Sequence, residues 1–162
     1  MKRRTTFLLS GIILSGFAVA ALPQLSFAQT DAFAGVWQLN LAKSKYSPGP
    51  PPKSGTLYIH GEGQNRRDSA VAIDAQGNPM AGVLTHIYDG QPHPVTGVQT
   101  IDAAAYTPAD ANTLNYRYIK AGNVVSIGTI TVSQDGKTLT IAGTGTNANG
   151  QPTNNIAVYD KQ

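Results

Sequence analysis

The sequence contains no cysteine, which excludes disulfide bonds, a lipid-anchor site and a thiolate nucleophile. It has only one glutamate, Glu62, and one tryptophan, Trp37. No segment shows sustained apolar spacing of three and four residues, so amphipathic helices are not expected. No serine lies in a nucleophile elbow, and no glycine-rich loop precedes a helix. The sequence therefore predicts a protein that is not an enzyme.

The first segment, residues 1–28, is predicted to be a signal peptide. Three basic residues at 2–4 precede a mostly apolar run at 7–21, which is too short for a confident membrane span. Ser26 and Ala28 place small residues where a signal peptidase reads, so we expect cleavage between Ala28 and Gln29. We expect export to the periplasm of a Gram-negative bacterium, or secretion from the cell. The export route is either Sec or Tat.

Cleavage removes three basic residues and leaves nine basic and nine acidic residues in segment 29–162. The net charge of this part is zero, so its charge gives no reason to expect binding to nucleic acid or to an anionic membrane surface. We also expect no membrane insertion after the signal is removed. Its length suits one ordinary domain, and we predict a single domain over 29–162.

Turn signals such as Gly77-Asn78-Pro79 and Asp135-Gly136 recur, mostly 13 or 14 residues apart, and short alternating apolar segments separate them. The predicted strands are 33–41, 54–61, 66–74, 80–88, 98–106, 113–120, 124–133, 137–146 and 152–160. Because closure removes exposed strand edges, we predict an all-β fold. Its antiparallel meander would close into a barrel of about eight to ten strands.

Two proline-containing stretches interrupt this pattern. Residues 48–52 form a proline run after the first strand, and QPHPVTG at 91–97 is predicted to be a loop because proline cannot donate to a ladder. Lys43, Lys45 and Lys53 surround the proline run, and Arg66-Arg67 start the third predicted strand. These basic residues could guide an anionic ligand to one mouth, or they are solvated strand ends with no specific task. We predict that both stretches frame one open mouth of the barrel.

Gly35-Val36-Trp37 forms a G-x-W pattern on the predicted first strand and resembles the motif of the calycin superfamily, which includes the lipocalins. The stretches GVWQLNLAKSKYSPGPPPKS, YDGQPHPVTG, TVSQDGKTLTI and NGQPTNNIAVYDK also resemble a largely uncharacterised group of small exported bacterial proteins. The resemblance covers nearly all of 29–162 and implies a lipocalin-like barrel with small-molecule binding. We therefore predict that the protein binds a small apolar or amphipathic molecule. Lipocalins usually stack an arginine on the motif tryptophan, whereas only Lys161 lies near the end of this chain.

The acidic and histidine residues do not form a recognisable catalytic or metal-binding pattern. Asp74, Asp89, Asp110 and Asp135 lie at turn positions, where such side chains cap their own backbone. The three histidines, at positions 60, 86 and 93, lack short ligand spacing, so we expect hydrogen-bonded or surface histidines and no metal. No cofactor is expected.

Tyrosines are the main candidates for ligand contacts, because their rings and hydroxyls suit an amphipathic pocket. The predicted ligand-binding residues are Tyr58, His86, Tyr88, Tyr116 and Tyr118. Gly35 and Trp37 are predicted to be structural, with Trp37 buried at the closed end of the barrel. The tyrosines could equally pack the core. The alternative function is a ligand-free interaction module or inhibitor of the cell envelope, acting through loops 46–55 and 90–98. The oligomeric state is left open.

Overall fold

The structure is a computed structural model that describes residues 31–62 and 65–162, apart from the side chains of Glu62, Asn65, Thr85 and His86. The predicted signal peptide lies outside these described residues. Within them, no helix is long and apolar enough to cross a membrane.

Ten antiparallel strands form a closed barrel, which confirms the predicted all-β meander. The strands are β1 (Gly35–Leu39), β2 (Ser54–Glu62), β3 (Asn65–Ile73), β4 (Pro79–Ile87), β5 (His93–Thr96), β6 (Ala103–Asp110), β7 (Thr113–Lys120), β8 (Asn123–Val132), β9 (Thr138–Thr146) and β10 (Pro152–Lys161). Each strand pairs with its neighbours in sequence, and β1 pairs with β10 to close the ring. The architecture is the closed antiparallel barrel that the sequence predicts.

The closing seam continues beyond β1. Residue Asn40 donates its backbone N–H to Val158, and Lys45 then exchanges both backbone hydrogen bonds with Ile156. The residues between Asn40 and Lys45 form a turn, and the Ser44 hydroxyl accepts a hydrogen bond from Val158 N at 2.9 Å. The first part of the loop before β2 therefore lengthens the β1–β10 pairing and leaves little exposed edge there.

Alternation along the strands sorts side chains between the interior and the outer face of the barrel. On β1, Trp37 and Leu39 are buried, and their partners Leu57 on β2 and Tyr159 on β10 face the same interior. The rest of the core is mostly aliphatic residues and tyrosines: Ile59, Val95, Ile101, Ala104, Tyr106, Leu114, Tyr116, Ile130, Val132 and Leu139, with Phe33 against them.

The predicted QPHPVTG loop is wrong in part, because residues 93–96 of this stretch form β5 and the predicted strand at 98–106 begins only at Ala103. Proline is tolerated because the two strands that flank β5 pair with different parts of it. His93 and Pro94 pair with β6, whereas Val95 and Thr96 pair with β4. Pro94 thus lies outside the paired stretch on the β4 side, where its missing N–H costs no ladder hydrogen bond.

The two ends of the barrel are built differently. One end carries the start of β1 and the turns β2–β3, β4–β5, β6–β7 and β8–β9, and the opposite end carries loops 40–53, 74–78, 97–102, 121–122 and 147–151. Residues 31–34, which we call the capping segment, cover the first end, and we call it the capped end. Phe33 of this segment is buried in the core cluster, and Ala32 packs against the same cluster.

Candidate functional site

Four tyrosine rings form a continuous row inside the barrel. The ring centroids of Tyr88 and Tyr106 are 6.4 Å apart, those of Tyr106 and Tyr118 are 6.3 Å apart, and those of Tyr118 and Tyr116 are 4.4 Å apart. The row begins at Tyr88 beside the capped end and continues onto β6 and β7. Burial raises the pKa of Tyr88 and Tyr106, and it raises the pKa of Tyr118 to about 12, so these hydroxyls stay protonated over the physiological pH range.

Three of the predicted ligand-binding residues, Tyr88, Tyr116 and Tyr118, therefore lie together. Tyr58 does not join them, because it alternates with the inward residues Leu57 and Ile59 and faces the outside of the barrel. The side chain of His86 lies outside the described residues. The row instead includes Tyr106, which the sequence analysis passed over and which is only 2% exposed.

The predicted mouth between the two proline stretches does not exist as one opening. The proline run 48–52 precedes β2 at the far end of the barrel, whereas Gln91 and Pro92 follow β4 at the capped end. Antiparallel pairing of β4 with β5 forces this separation, since β4 ends at the capped end. Tyr88 belongs to the capped end as well, so a ligand that contacts it is closer to the capping segment than to the proline run.

Arg66, which the sequence offered either as a guide for an anionic ligand or as a solvated strand end, is a buried member of this site. It lies on β3, is 6% exposed, and its guanidinium carbon is 5.0 Å from the ring centroid of Phe33 and 4.8 Å from that of Tyr88. Asp31 of the capping segment forms an ion pair with its Nη2. Within the described part of the chain, Arg66 Nε and Nη1 are buried without a hydrogen-bond partner. Burial lowers the pKa of Arg66, because the charged form has lost its hydration.

Asp68 lies two residues further along β3 and faces the same interior. Burial raises the pKa of its carboxyl to about 7, and the nearby positive charge of Arg66 opposes that rise. Arg66 and Asp68 alternate with the exposed Arg67, which faces outward. Ala70 and Ala72 continue the same inward face, whereas Val71 is 44% exposed on the other.

A cavity of about 60 Å³ lies in the middle of the barrel beside these groups. Its lining is mainly apolar, with four polar residues among the eleven: Leu57, Ile59, Asp68, Ser69, Ala70, Leu84, Tyr106, Tyr118, Ile130, Leu139 and Ile141. Ligand pockets for drug-sized molecules are typically about 300–1,000 Å³. Side chains therefore fill most of the interior, and a ligand larger than a few water molecules requires some part of the barrel to move.

Gly35, Trp37 and Lys161 form a compact unit at the capped end. Trp37 is 0% exposed, and its indole N–H donates to the carbonyl oxygen of Phe33 at 2.8 Å. Lys161 Nζ is 5.0 Å from the Trp37 ring centroid, so the lysine makes a cation–π contact with the indole. A Cβ atom on Gly35, whose φ is +143°, would lie 2.7 Å from Lys161 Cε. The positive φ therefore favours glycine, and a larger residue would also push the end of the Lys161 side chain aside.

The described histidines form no shared site. His60 is exposed on the outer face of β2, and His93 Nε2 contacts Asp89 Oδ1 at 3.0 Å in the β4–β5 region. Among the residues that the structure describes, no three His, Cys, Asp or Glu side chains come close enough to hold a metal ion.

No family model matches the chain, and no curated protein matches it in sequence. Among solved structures, the chain is similar to zebrafish ileal bile acid-binding protein in its crystal structure with cholic acid. The two have 12% sequence identity and a TM-score of 0.49, over 81% of this chain and 99% of that one.

Proposed function

We propose that this protein binds a small amphipathic molecule inside the barrel, against Arg66, Asp68, Tyr88, Tyr106 and Tyr118, and that it acts by binding and not by catalysis. We call these five residues the interior polar site. We further propose that it does so in the periplasm or outside the cell, after removal of the predicted signal peptide.

The observation that carries this proposal is the placement of two ionisable side chains, Arg66 and Asp68, inside a small apolar barrel. Burying a charge costs several kcal/mol even when it is paired, and apolar replacements of buried ion pairs are often equally stable. A barrel selected only for stability has no need of such groups. Perturbed pKa values beside a cavity are instead typical of binding and catalytic sites.

The composition of the interior fits an amphipathic ligand. Leu57, Leu84 and Ile141 line the cavity with apolar side chains, and Asp68, Tyr106 and Tyr118 contribute polar groups to the same lining. Since the cavity is about 60 Å³, binding must be accompanied by movement of the neighbouring side chains or of the capping segment. Such movement lowers the observed affinity by the cost of reaching the open state.

A second candidate is the interaction module, and one observation favours it. Val124, Ile127 and Ile156 are 53%, 51% and 37% exposed, and Ile127 and Ile156 line one outer groove on β7–β10. This apolar surface differs from the predicted loops: among the described residues, no large hydrophobic side chain of 46–55 or 90–98 is strongly exposed. Partner binding would therefore use the outer face of β8–β10.

Native mass spectrometry of the protein purified from its own cells tests the proposal. We expect a bound small-molecule mass that dissociates on denaturation. Ala70→Phe, which fills the cavity from β3, should remove this mass, whereas Tyr58→Ala on the outer face should retain it. A folded Ala70→Phe variant with full occupancy, or a wild-type protein with no bound mass under any gentle ionisation condition, would contradict interior binding.

A further inference from the structure

Two side chains of the capping segment contact Arg66, and only one residue separates them in the sequence. Asp31 supplies a carboxylate to Nη2, and Phe33 supplies an aromatic ring to one face of the guanidinium. The Asp31 carboxylate also accepts a hydrogen bond from Phe33 N at 3.0 Å, which holds the two side chains in one compact turn. A carboxylate joined to an apolar ring is the chemical pattern of a small amphipathic acid.

Arg66 has capacity for more than this one partner. A guanidinium carries five N–H donors in a planar fork and prefers bidentate carboxylate partners. Asp31 engages Nη2, while Nε and Nη1 are buried without hydrogen-bond partners among the residues that the structure describes. A second aromatic ring, that of Tyr88, lies on the guanidinium at 4.8 Å. The site is therefore an incompletely satisfied anion site between two aromatic rings.

We propose that the ligand of the interior polar site is a small carboxylic acid with an apolar body, and that Asp31 and Phe33 occupy its place in the ligand-free protein. This inference rests on the proposed function and names the class of ligand. The acid would approach at the capped end, displace the capping segment, pair its carboxylate with Arg66 and extend its apolar part toward the cavity beside Leu57 and Leu84.

Exchange of one carboxylate for another explains how a buried arginine can serve as a binding residue. Arg66 is paired before and after binding, so the large cost of leaving its charge unpaired is not incurred in either end state. The acid must still compete with Asp31, whose local concentration is high because it belongs to the same chain. A neutral analogue of the acid cannot replace the Asp31 carboxylate, so it should bind much more weakly.

Trp37 provides a direct readout of this exchange. It is the only tryptophan of the chain, and its indole N–H donates to the Phe33 carbonyl at 2.8 Å. Displacement of the capping segment breaks this hydrogen bond and changes the surroundings of the indole. Tryptophan fluorescence should therefore respond to ligand binding even though Trp37 is not itself a ligand contact.

The test compares two probes of nearly equal shape, 3-phenylpropanoate and its neutral amide 3-phenylpropanamide. Each is titrated into the purified protein, with Trp37 emission and calorimetry as parallel readouts. We expect the acid to bind at least about tenfold more tightly than the amide, since a charge-assisted hydrogen bond contributes about 1.5–3 kcal/mol and tenfold corresponds to about 1.4 kcal/mol. The acid should also change the Trp37 emission spectrum.

Two variants and one matched control sharpen the comparison. Asp31→Asn removes the competing charge with little change in shape, so the acid should bind about tenfold more tightly than to the wild type. Arg66→Met keeps an apolar stem and should remove the preference for the acid over the amide. Arg67→Met, the exposed neighbour on the same strand, controls for loss of one positive charge and should behave like the wild type.

The outcomes separate this inference from the proposed function. Equal binding of acid and amide to the wild type would overturn the carboxylate inference while leaving interior binding intact. Unchanged acid affinity in Asp31→Asn would overturn the role of Asp31 as an internal competitor. Failure of both probes to bind the wild type and Asp31→Asn would overturn the inference together with the proposed function. If Arg66→Met does not fold, the acid-to-amide ratio in Asp31→Asn decides alone.

Discussion

Lys161 Nζ lies 5.0 Å from the ring centroid of Trp37 and thereby joins the last strand to the first at the capped end of the barrel. The two residues are also direct partners in the β1–β10 pairing. Cation–π contacts at partly exposed sites contribute about 0.5–1 kcal/mol. The pair therefore adds a modest stabilisation at the seam where the barrel closes, on top of the packing of the buried indole.

Trp37→Ala should lower the free energy of unfolding by about 3–5 kcal/mol, because a large, fully buried ring is replaced by a cavity. Lys161→Met should cost only about 0.5–1 kcal/mol, since the aliphatic stem still packs and only the charge is lost. Urea denaturation of both variants measures these values. A loss under about 1 kcal/mol in Trp37→Ala would mean that the ring is peripheral to the fold.

Gly35→Ala should destabilise the barrel more than Gly136→Ala, although both glycines have positive φ. An added Cβ at Gly35 meets Lys161 Cε at 2.7 Å, whereas one at Gly136, whose φ is +69°, meets nothing within 4 Å. The control thus carries a backbone cost without the clash. Because Lys161 Cε is near the end of a flexible side chain, it can move aside, and we expect about 0.5–1 kcal/mol of additional loss in Gly35→Ala from the displaced Lys161–Trp37 contact, measured by thermal or urea denaturation. Equal losses would show that Lys161 moves aside without cost.

Asp68 should make the protein more stable as the pH falls from about 8 to about 5. Its folded pKa of about 7 lies above the usual aspartate value of 3.8, so the folded state binds more protons than the unfolded state between these two values. The free energy of unfolding therefore rises as the pH decreases through this window. The slope arises mainly from desolvation of Asp68, and Arg66 reduces it.

Asp68→Asn is the matched variant for this pH dependence, because it keeps the shape and removes the titration. Urea midpoints of the wild type and the variant should converge at low pH and separate toward pH 8. The surface carboxylates Asp74, Asp102 and Asp160 have lowered pKa values, so their contribution is lost only at more acidic pH. An identical pH profile in Asp68→Asn would contradict the raised pKa.

The sequence predicted most of the barrel because most strands have an apolar face and clear turn residues at their ends. Eight of the nine predicted strands match observed strands closely, such as 113–120 and β7. β5 was missed because it has four residues and contains Pro94, which is tolerated only where pairing with β4 has ended. The point where the β4–β5 pairing ends is set by how the two strands align in the folded barrel, and the local sequence around Pro94 does not encode this alignment.

The interior polar site could be predicted only in part. On β3, the apolar alternation of Val71 and Ile73 indicated the wrong face, since Val71 is exposed and the interior carries Ala70, Asp68 and Arg66. An arginine that follows a turn is predicted to be exposed at a strand end unless the residues that bury it are known. Here the partners are Asp31 and Phe33, which precede the first strand and leave no periodic signal.

Tyr58 illustrates the opposite case, in which the sequence contained the answer. Leu57 and Ile59 mark the inward face of β2, so simple alternation assigns Tyr58 to the outside. Aromatic character had favoured it as a ligand residue, but its side chain and the row of interior tyrosines lie on different sides of the barrel wall. Its role in ligand binding is accordingly a prediction that the geometry disfavours.

The export prediction can be checked independently of ligand binding. Protein recovered from the periplasmic fraction should begin at Gln29, because small residues flank the bond after Ala28. Cleavage there would leave Asp31 as the third residue of the mature chain. N-terminal sequencing or intact mass measurement determines the start. A periplasmic protein that still carries Met1 would contradict the predicted cleavage.

Methyl-detected NMR of the protein titrated with 3-phenylpropanoate tests interior binding most directly. The barrel has methyl groups on both sides of its wall: Ile59, Leu84 and Ile141 border the cavity, whereas Ile127 and Ile156 are exposed on the outer face. We predict that the first set shifts in a saturable manner and that the second set does not. Saturable shifts confined to Ile127 and Ile156, with the cavity methyls unchanged, would contradict the account.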